Sequence, residues 1–382
     1  MPWQRRDLMS LRREFVELAA VEGANRRELM RRFGISPKTG YLWIKRFEQQ
    51  GLAGLVDQSR RPQSSPEQTP ASLEAKVIDL RTTHPAWGGR KIARRLKELG
   101  CVKVPAPSTI TGILRRYGLI DPAASEAATP WQRFEHEHPN SLWQIDFKGY
   151  FDTNAGRCHP LTLIDDHSRF NLLLSVCDRP DTVAVQPLLR TVFRRHGLPV
   201  RINADNGAPW GSPSQHRHGL SALSVWLIRL GIRVSHSRAY HPQTNGKIER
   251  FHRSLKCEVL AGQRFENLVR VQRAFDHWRD VYNYERPHES LGLDVPSQHY
   301  RSSPTPFPEK LPVIEYPATD TVLTVGWNGW IKFRGHKFRV SNALHRLPIG
   351  LRADLHQDGL FEAYFCHQRF MKLDLRTFDS KK

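Results

Sequence analysis

The sequence predicts a multidomain chain with tandem helix-turn-helix modules at the N-terminus, an α/β core in the middle and a small β-barrel at the C-terminus. Three observations carry that reading. Apolar residues recur at helical spacings through the first third, then short strand-like runs alternate with helical ones, and strands dominate the end. Pro-, Ser- and Gln-rich stretches separate these regions. The length of 382 residues also exceeds what one hydrophobic core usually organises.

In residues 1–58, Leu8, Leu11, Phe15 and Leu18 form the apolar stripe of a first helix. Asn25-Arg26-Arg27-Glu28 is a capping box that opens a short helix with Leu29, Met30 and Phe33, ended by Gly34. Ser36 and Pro37 are cap and first residue of the next helix, which carries Tyr41, Leu42, Ile44 and Phe47. Two short helices joined by FGIS, the second one basic, make a helix-turn-helix unit. The second helix of such a unit presents its early residues to base edges in the DNA major groove. Lys38, Thr39, Tyr41, Lys45 and Arg46 are therefore candidates for DNA contact, although Tyr41 is equally suited to the core.

Residues 59–70, SRRPQSSPEQTP, read as a linker. Residues 71–120 repeat the helical pattern: Leu73, Val77, Ile78 and Leu80 line one helix, and a second enters through Gly88-Gly89 beside a core Trp87 and closes at Gly100. Ser108 is the expected cap of a third, with Ile110, Ile113 and Leu114 inward and Thr111, Arg115 and Arg116 free for DNA. Gly112 in mid-helix makes this second helix-turn-helix the weaker signal, at a cost of about 1 kcal/mol relative to alanine. Residues 121–141 are a polar connector.

Residues 142–286 change period. LWQIDFKGYF, HPLTLIDDHS and RFNLLLSVC are strands in close succession and predict an antiparallel meander. A helix from Asp181 to His196 follows, then the strand VRINAD, a helix around 219–231 and the strand IRVSHS. A helix carrying Glu249 comes next, before a long amphipathic one bearing Phe275, Trp278 and Tyr282. That order is expected of a ribonuclease-H-like sheet. Residues 287–320 form an extended Pro-rich linker. From 321 to 382 short strands dominate, with Asp358-Gly359 a hairpin turn, and these are assigned to the barrel. DNA-backbone contact and protein scaffolding are both open as its role.

The formal charge is +20, from 58 basic and 38 acidic residues, and implies a polyanionic partner. Five scattered cysteines, odd in number and without a CxxC, speak against a disulfide framework or thiolate zinc site and suit a reducing compartment. No apolar run approaches the length of a membrane span, and MPWQRRDLMSLRRE lacks the apolar stretch of a signal peptide. The expectation is a cytoplasmic protein without membrane contact.

Three carboxylates stand out. Asp146 lies in the first core strand, and alternation places it on the face opposite Trp143 and Ile145. Asp205 ends VRINAD, where the chain turns through Asn206-Gly207, and ligands of such sheets collect at strand carboxyl ends. Glu249 sits on a basic helix, with Lys256 about two turns on along the same face and His252 and Arg253 near that surface as further DNA contacts. Three converging acids resist burial as free charges, a difficulty divalent cations remove. Mg²⁺ suits carboxylates and phosphates, with Mn²⁺ as a substitute. Two ions about 4 Å apart would serve in-line displacement at phosphorus, Asp146 bridging them and Asp205 and Glu249 on either side. Each acid also has a bland reading. Asp152, Asp165 and Asp166 read as turn residues, and Glu249 has Arg253 at pairing distance. Tyr240, beside His241, is the one nearby tyrosine to weigh as a covalent nucleophile.

WQIDFKG around Asp146, LIDDHSR (163–169), ADNG around Asp205 and HPQTNGKIERFHRSLKCE (241–258), followed by YNYERPHESLG (282–292), resemble the DDE transposases of the bacterial insertion-sequence group, which have a retroviral-integrase-type core. The resemblance spans residues 140–295, and the paired N-terminal modules fit it. It implies Asp146, Asp205 and Glu249 as a catalytic, Mg²⁺-binding triad. It also implies recognition of terminal inverted repeats in double-stranded DNA, and strand transfer into target DNA by a homodimer or larger synaptic assembly acting at a bacterial nucleoid. One departure is the 43 residues between Asp205 and Glu249, wider than the family's usual spacing. An insertion in GAPWGSPSQHRHG (207–219) accounts for it at little thermodynamic cost. Two other readings stay open: a ribonuclease-H-like nuclease without strand transfer, and a non-catalytic DNA-binding regulator.

Overall fold

Helix caps written into the sequence start the first unit. In this computed structural model, which describes residues 8–57, 68–121, 136–211, 220–236 and 246–379, helices α1 (Leu8–Ala19), α2 (Arg26–Arg32) and α3 (Pro37–Gln50) make up the unit formed by residues 1–68. The Asn25 side chain accepts from the Glu28 amide at 3.1 Å, and the Ser36 hydroxyl accepts from the Thr39 amide at 3.2 Å. The buried stripe differs from the expected one. Phe15, Val16, Ala19, Met30, Trp43 and Ile44 fill the core with Leu55, while Leu8, Leu18, Tyr41 and Leu42 face outward. The cause is a close helix crossing: a Cβ on Gly40 would lie 2.6 Å from the Met30 side chain. That contact fixes the rotation of α3, turning Trp43 in and Tyr41 out.

The second unit, residues 69–382, begins with α4 (Ala71–Thr83), α5 (Gly89–Glu98) and α6 (Pro107–Arg116) around a core of Val77, Trp87, Ile92, Leu96, Ile110, Ile113 and Leu114. Ser108 does not cap α6. The helix starts two residues earlier than that cap would set it, at Pro107 after Ala106, and the fixed φ and missing N–H of proline suit a first helical position. Gly89 lets α5 meet α6, since a Cβ there would lie 2.3 Å from the Pro107 carbonyl.

The core sheet comprises β1 (Trp143–Phe147), β2 (Phe151–Thr153), β3 (Gly156–Asp165), β4 (Asn171–Cys177), β5 (Arg201–Ala204) and β6 (Arg233–His236). Strand β3 pairs antiparallel with β1, β2 and β4, which is the expected meander with a short extra hairpin. Strands β5 and β6 continue parallel from β1. Alternation sends Trp143, Ile145, Leu161 and Leu163 to one face, against α7 (Thr182–His196) and α8 (Ala222–Arg229). Ile164 and Leu174 face the other way, against Phe251 of α9 (Gly246–Leu255) and Phe275 of α10 (Leu268–Tyr284). Both sheet faces are thus covered by helices, as in a ribonuclease-H-like core. Val281 of α10 also enters the α4–α6 core, and Arg94 and Arg95 of α5 pair with Asp294 and Glu285, so the second helical module is docked on this core.

The C-terminal region is not a barrel. Strands β7 (Thr321–Thr324), β10 (Pro348–Ala353), β11 (Leu360–Phe365) and β12 (Gln368–Asp374) form an open sheet in the order β12-β11-β10-β7, and β8 (Trp330–Phe333) with β9 (His336–Arg339) makes a separate hairpin. A turn through Asn328, with φ of 56°, detaches β8 from β7. Closure is not needed to hide the apolar face, because Phe333, Phe338, Ile349, Phe361 and Phe365 join one continuous core with Trp226 and Val234. The Gln368 amide meets the Val234 backbone N–H and C=O, both at 2.8 Å, and so covers the β6 edge as a strand would.

Candidate active site

The site lies on the sheet face covered by α9. Asp146 pairs in register with Thr162 of β3, and both point away from Trp143 and Ile145, as alternation requires. Asp205 follows the last residue of β5, at the carboxyl end of the strand that neighbours β1. Its Oδ1 accepts from the Gly207 amide at 3.0 Å, and a Cβ on residue 207 would stand 3.2 Å from Oδ2. Glycine therefore lets the turn fold against the carboxylate. Glu249 projects from the first turn of α9 and is exposed.

These acids act on one another. Burial first, then the charge of Asp205, push the Asp146 carboxyl up to about 7 against the opposing hydrogen bond of the Phe147 amide, and the charge of Glu249 adds the smallest contribution. Among the described residues no three His, Cys, Asp or Glu side chains are arranged to enclose a metal ion. The donor set nonetheless fits one. A partly buried carboxylate raised by burial and by neighbouring negative charge is a hard oxygen ligand whose charge a divalent cation would compensate.

His252 is 12% exposed and stands inside the site rather than on an outer DNA-facing surface. Its Nε2 meets Thr162 Oγ1 at 3.1 Å and its Nδ1 lies 4.0 Å from Asp146 Oδ2. Burial, helped by the charge of Lys148, lowers its pKa to about 3, so the imidazole is neutral at ordinary pH. Arg253 and Lys256 are exposed, and Lys256 starts a π-helical turn, Lys256–Leu260, that ends α9. No ion pair joins Glu249 to Arg253 among the described residues. Lys148 is close enough to Lys256 that, after burial, the charge of Lys256 lowers its pKa. Lys148, not among the expected site residues, follows directly on β1 two positions after Asp146, and that proximity in sequence was its one signal.

The other expected contact residues lie in the helical modules. In the first unit Lys38, Tyr41 and Lys45 are exposed, Thr39 is half-buried at the cap of α3, and Arg46 stacks over Trp43 at 5.3 Å. In the second, Arg115 is exposed, Arg116 pairs with Glu74 at 2.7 Å, and Thr111 donates to the Pro107 carbonyl at 2.8 Å. Asp152 is not a turn residue but the middle residue of β2, where it pairs across the hairpin with Arg157 of β3 at 3.1 Å. Asp165 accepts from the Ser168 amide and hydroxyl. Asp166 is more than a turn residue: its buried carboxylate binds Lys247, two residues before Glu249. Tyr240 and most of the 207–219 loop lie outside the described residues.

Comparison with known proteins gives the same parts in the same order. Integrase core domain families match residues 136–242 and 230–296. A helix-turn-helix domain family matches 11–63, a homeodomain-like domain family 39–114, and the C-terminal domain of the IS481 family transposases 320–381. The chain is related to the insertion-sequence transposases with an integrase-type core. The chain is 27% identical over 253 residues to the insertion element IS476 uncharacterized 39.2 kDa protein of Xanthomonas euvesicatoria, covering 65% of this chain and 70% of that one. It is 28% identical over 160 residues to the insertion element IS407 uncharacterized 31.7 kDa protein of Burkholderia multivorans, covering 42% of this chain and 55% of that one. The HTLV-2 integrase catalytic core domain, solved in complex with magnesium, matches at 16% identity and a TM-score of 0.31, covering 43% of this chain and 99% of that one. A superposition that loose supports no residue-by-residue comparison.

Proposed function

We propose that this protein is a transposase: it binds the terminal inverted repeats of its element, hydrolyses a DNA phosphodiester to expose a 3′-hydroxyl, and transfers that strand into target DNA. What supports the reading is that Asp146 on β1 is raised by burial first and then by the charges of Asp205, at the end of β5, and Glu249, on α9. In this reading Asp146, Asp205 and Glu249 are the catalytic acids and the metal ligands. They would hold two Mg²⁺ ions, or Mn²⁺ in their place, which when bound supply an activated water or hydroxyl and steady the leaving oxygen.

The chain's own residues do the rest. Gly207 N–H orients the Asp205 carboxylate, and the neutral His252 fills the floor beneath Asp146 without adding charge. Lys148, Arg253 and Lys256 border the acids and would hold the scissile strand by its phosphates. Residues 1–58 and 71–120 would read the element ends through Lys38, Thr39, Tyr41, Lys45 and Arg46, and through Thr111, Arg115 and Arg116. Residues 142–286 would perform the chemistry. Two ends must be held together before joining, so the working form would be a homodimer or larger assembly, acting in the bacterial cytoplasm. No helix among the described residues is long and apolar enough to cross a membrane.

Incubating the protein with labelled terminal-repeat DNA and Mg²⁺ tests this. Joined products are the expected result. Nicks without joining point to a hydrolytic nuclease, and binding without cleavage to a regulator, and either outcome overturns the proposal.

A further inference from the structure

We infer that Asp166 and Lys247 are positioning residues: a buried ion pair that sets the helix carrying Glu249 against the strand carrying Asp146. The inference rests on the reading of those two acids as the reacting site. Asp166 begins the β3–β4 turn and is almost wholly buried. Its Oδ1 accepts from Gln144 Nε2 at 2.8 Å, and its Oδ2 accepts from Lys247 Nζ at 2.5 Å and from the His136 amide at 3.1 Å. Lys247 also donates to the Asp166 carbonyl oxygen at 3.1 Å. Each partner stands two residues before a site acid. Gln144 shares the sheet face of Asp146 by alternation, and Lys247 lies in the first turn of α9 with Glu249. One carboxylate thus joins both elements of the site.

The chemistry chosen for this joint points to geometry rather than stability. A buried ion pair adds little to stability compared with an apolar pair of similar volume, but it has one good arrangement where apolar contacts have several. Phe251 and Leu255, one and two turns further along the same side of α9, pack as apolar core, so the ion pair stands at the N-terminal end of the buried stripe of the helix. Lys247 points inward because residues 247 and 249 lie on opposite sides of a helix, so the lysine reaches the protein while the glutamate reaches substrate. A misplacement of about 1 Å at a reacting group costs roughly a hundredfold in rate.

The test removes both charges together, so that neither is left buried alone. Asp166→Leu/Lys247→Met is expected to fold, to bind element-end DNA within about twofold of the parent, and to nick it about a hundredfold more slowly. Lys247→Arg, which keeps the charge, should recover most of that rate. Hydrogen exchange in metal-free protein gives a readout that does not depend on activity. Amides of α9 should exchange at least about tenfold faster in the double variant while those of β1 and β3 do not change. A double variant that nicks within about twofold of the parent, or an unchanged α9 exchange rate, overturns the inference. If the parent protein does not cleave DNA at all, it is the functional reading that fails, and the exchange rates alone decide the tether.

Discussion

Replacing Asp146 by asparagine should stabilise the metal-free protein at high pH while destroying its activity. The carboxyl is raised from 3.8 to about 7, chiefly by burial and then by the charge of Asp205. Between those values the folded protein holds a proton that the unfolded chain has released, so stability falls as pH rises through the window and levels off above it. The full gap amounts to about 4 kcal/mol at 1.36 kcal/mol per pH unit, an upper figure because the side chain is 25% exposed. Asp146→Asn keeps the shape and removes the charge. Its stability gain should be close to nil near pH 4 and grow to between about 2 and 4 kcal/mol near pH 8, raising Tm by several degrees. Thermal unfolding of both proteins in chelator, followed by circular dichroism at the two pH values, measures this. Asp205→Asn should give a smaller gain of the same sign. A variant no more stable than the parent near pH 8, or equally stabilised at both pH values, would refute the argument that burial and the charge of Asp205 raise the Asp146 carboxyl.

The remaining expectations concern the surroundings of the acids. Gly207→Ala should lower nicking by about tenfold or more without loss of DNA binding, since the new methyl crowds the Asp205 carboxylate by a few tenths of an ångström; normal nicking would show that the turn yields freely. Lys38→Ala with Arg46→Ala should weaken binding to end DNA and flatten its salt dependence by up to about two units of slope, as measured by a titration at several salt concentrations. Lys256→Ala should reduce joining more than nicking in a gel assay of labelled ends, and equal joining would place that lysine in solvent alone.

Local signals were legible in the sequence and tertiary ones were not. The caps at Asn25 and Ser36 depend on neighbours three residues away, so their residue types sufficed. The faces of β1 followed from alternation, which put Asp146 opposite Trp143 before any partner was known. The rotation of α3 was hidden because it depends on Gly40 meeting Met30, a contact between helices that leaves no periodic trace. The open C-terminal sheet was hidden for a related reason. Strand lengths and turns announce strands, whereas closure depends on which edges pair, and here the core sheet covers the apolar face instead. His252, expected near the Glu249 surface as a DNA contact, lies one helical turn after Glu249 and meets Thr162 across the packed side of α9. Asp166 read as a turn residue because its partner Lys247 lies 81 positions away, a separation no local pattern reveals.

The central claim is that Asp146, Asp205 and Glu249 work as one catalytic set. Strand transfer of a labelled element end in Mg²⁺, run beside Asp146→Asn, Asp205→Asn and Glu249→Gln with each protein's end binding measured by gel shift, tests it most directly. The account predicts joining by the parent protein, a loss of at least about a thousandfold in every variant, and binding that stays within about twofold. Joining at the parent rate by any one of the three variants would contradict it.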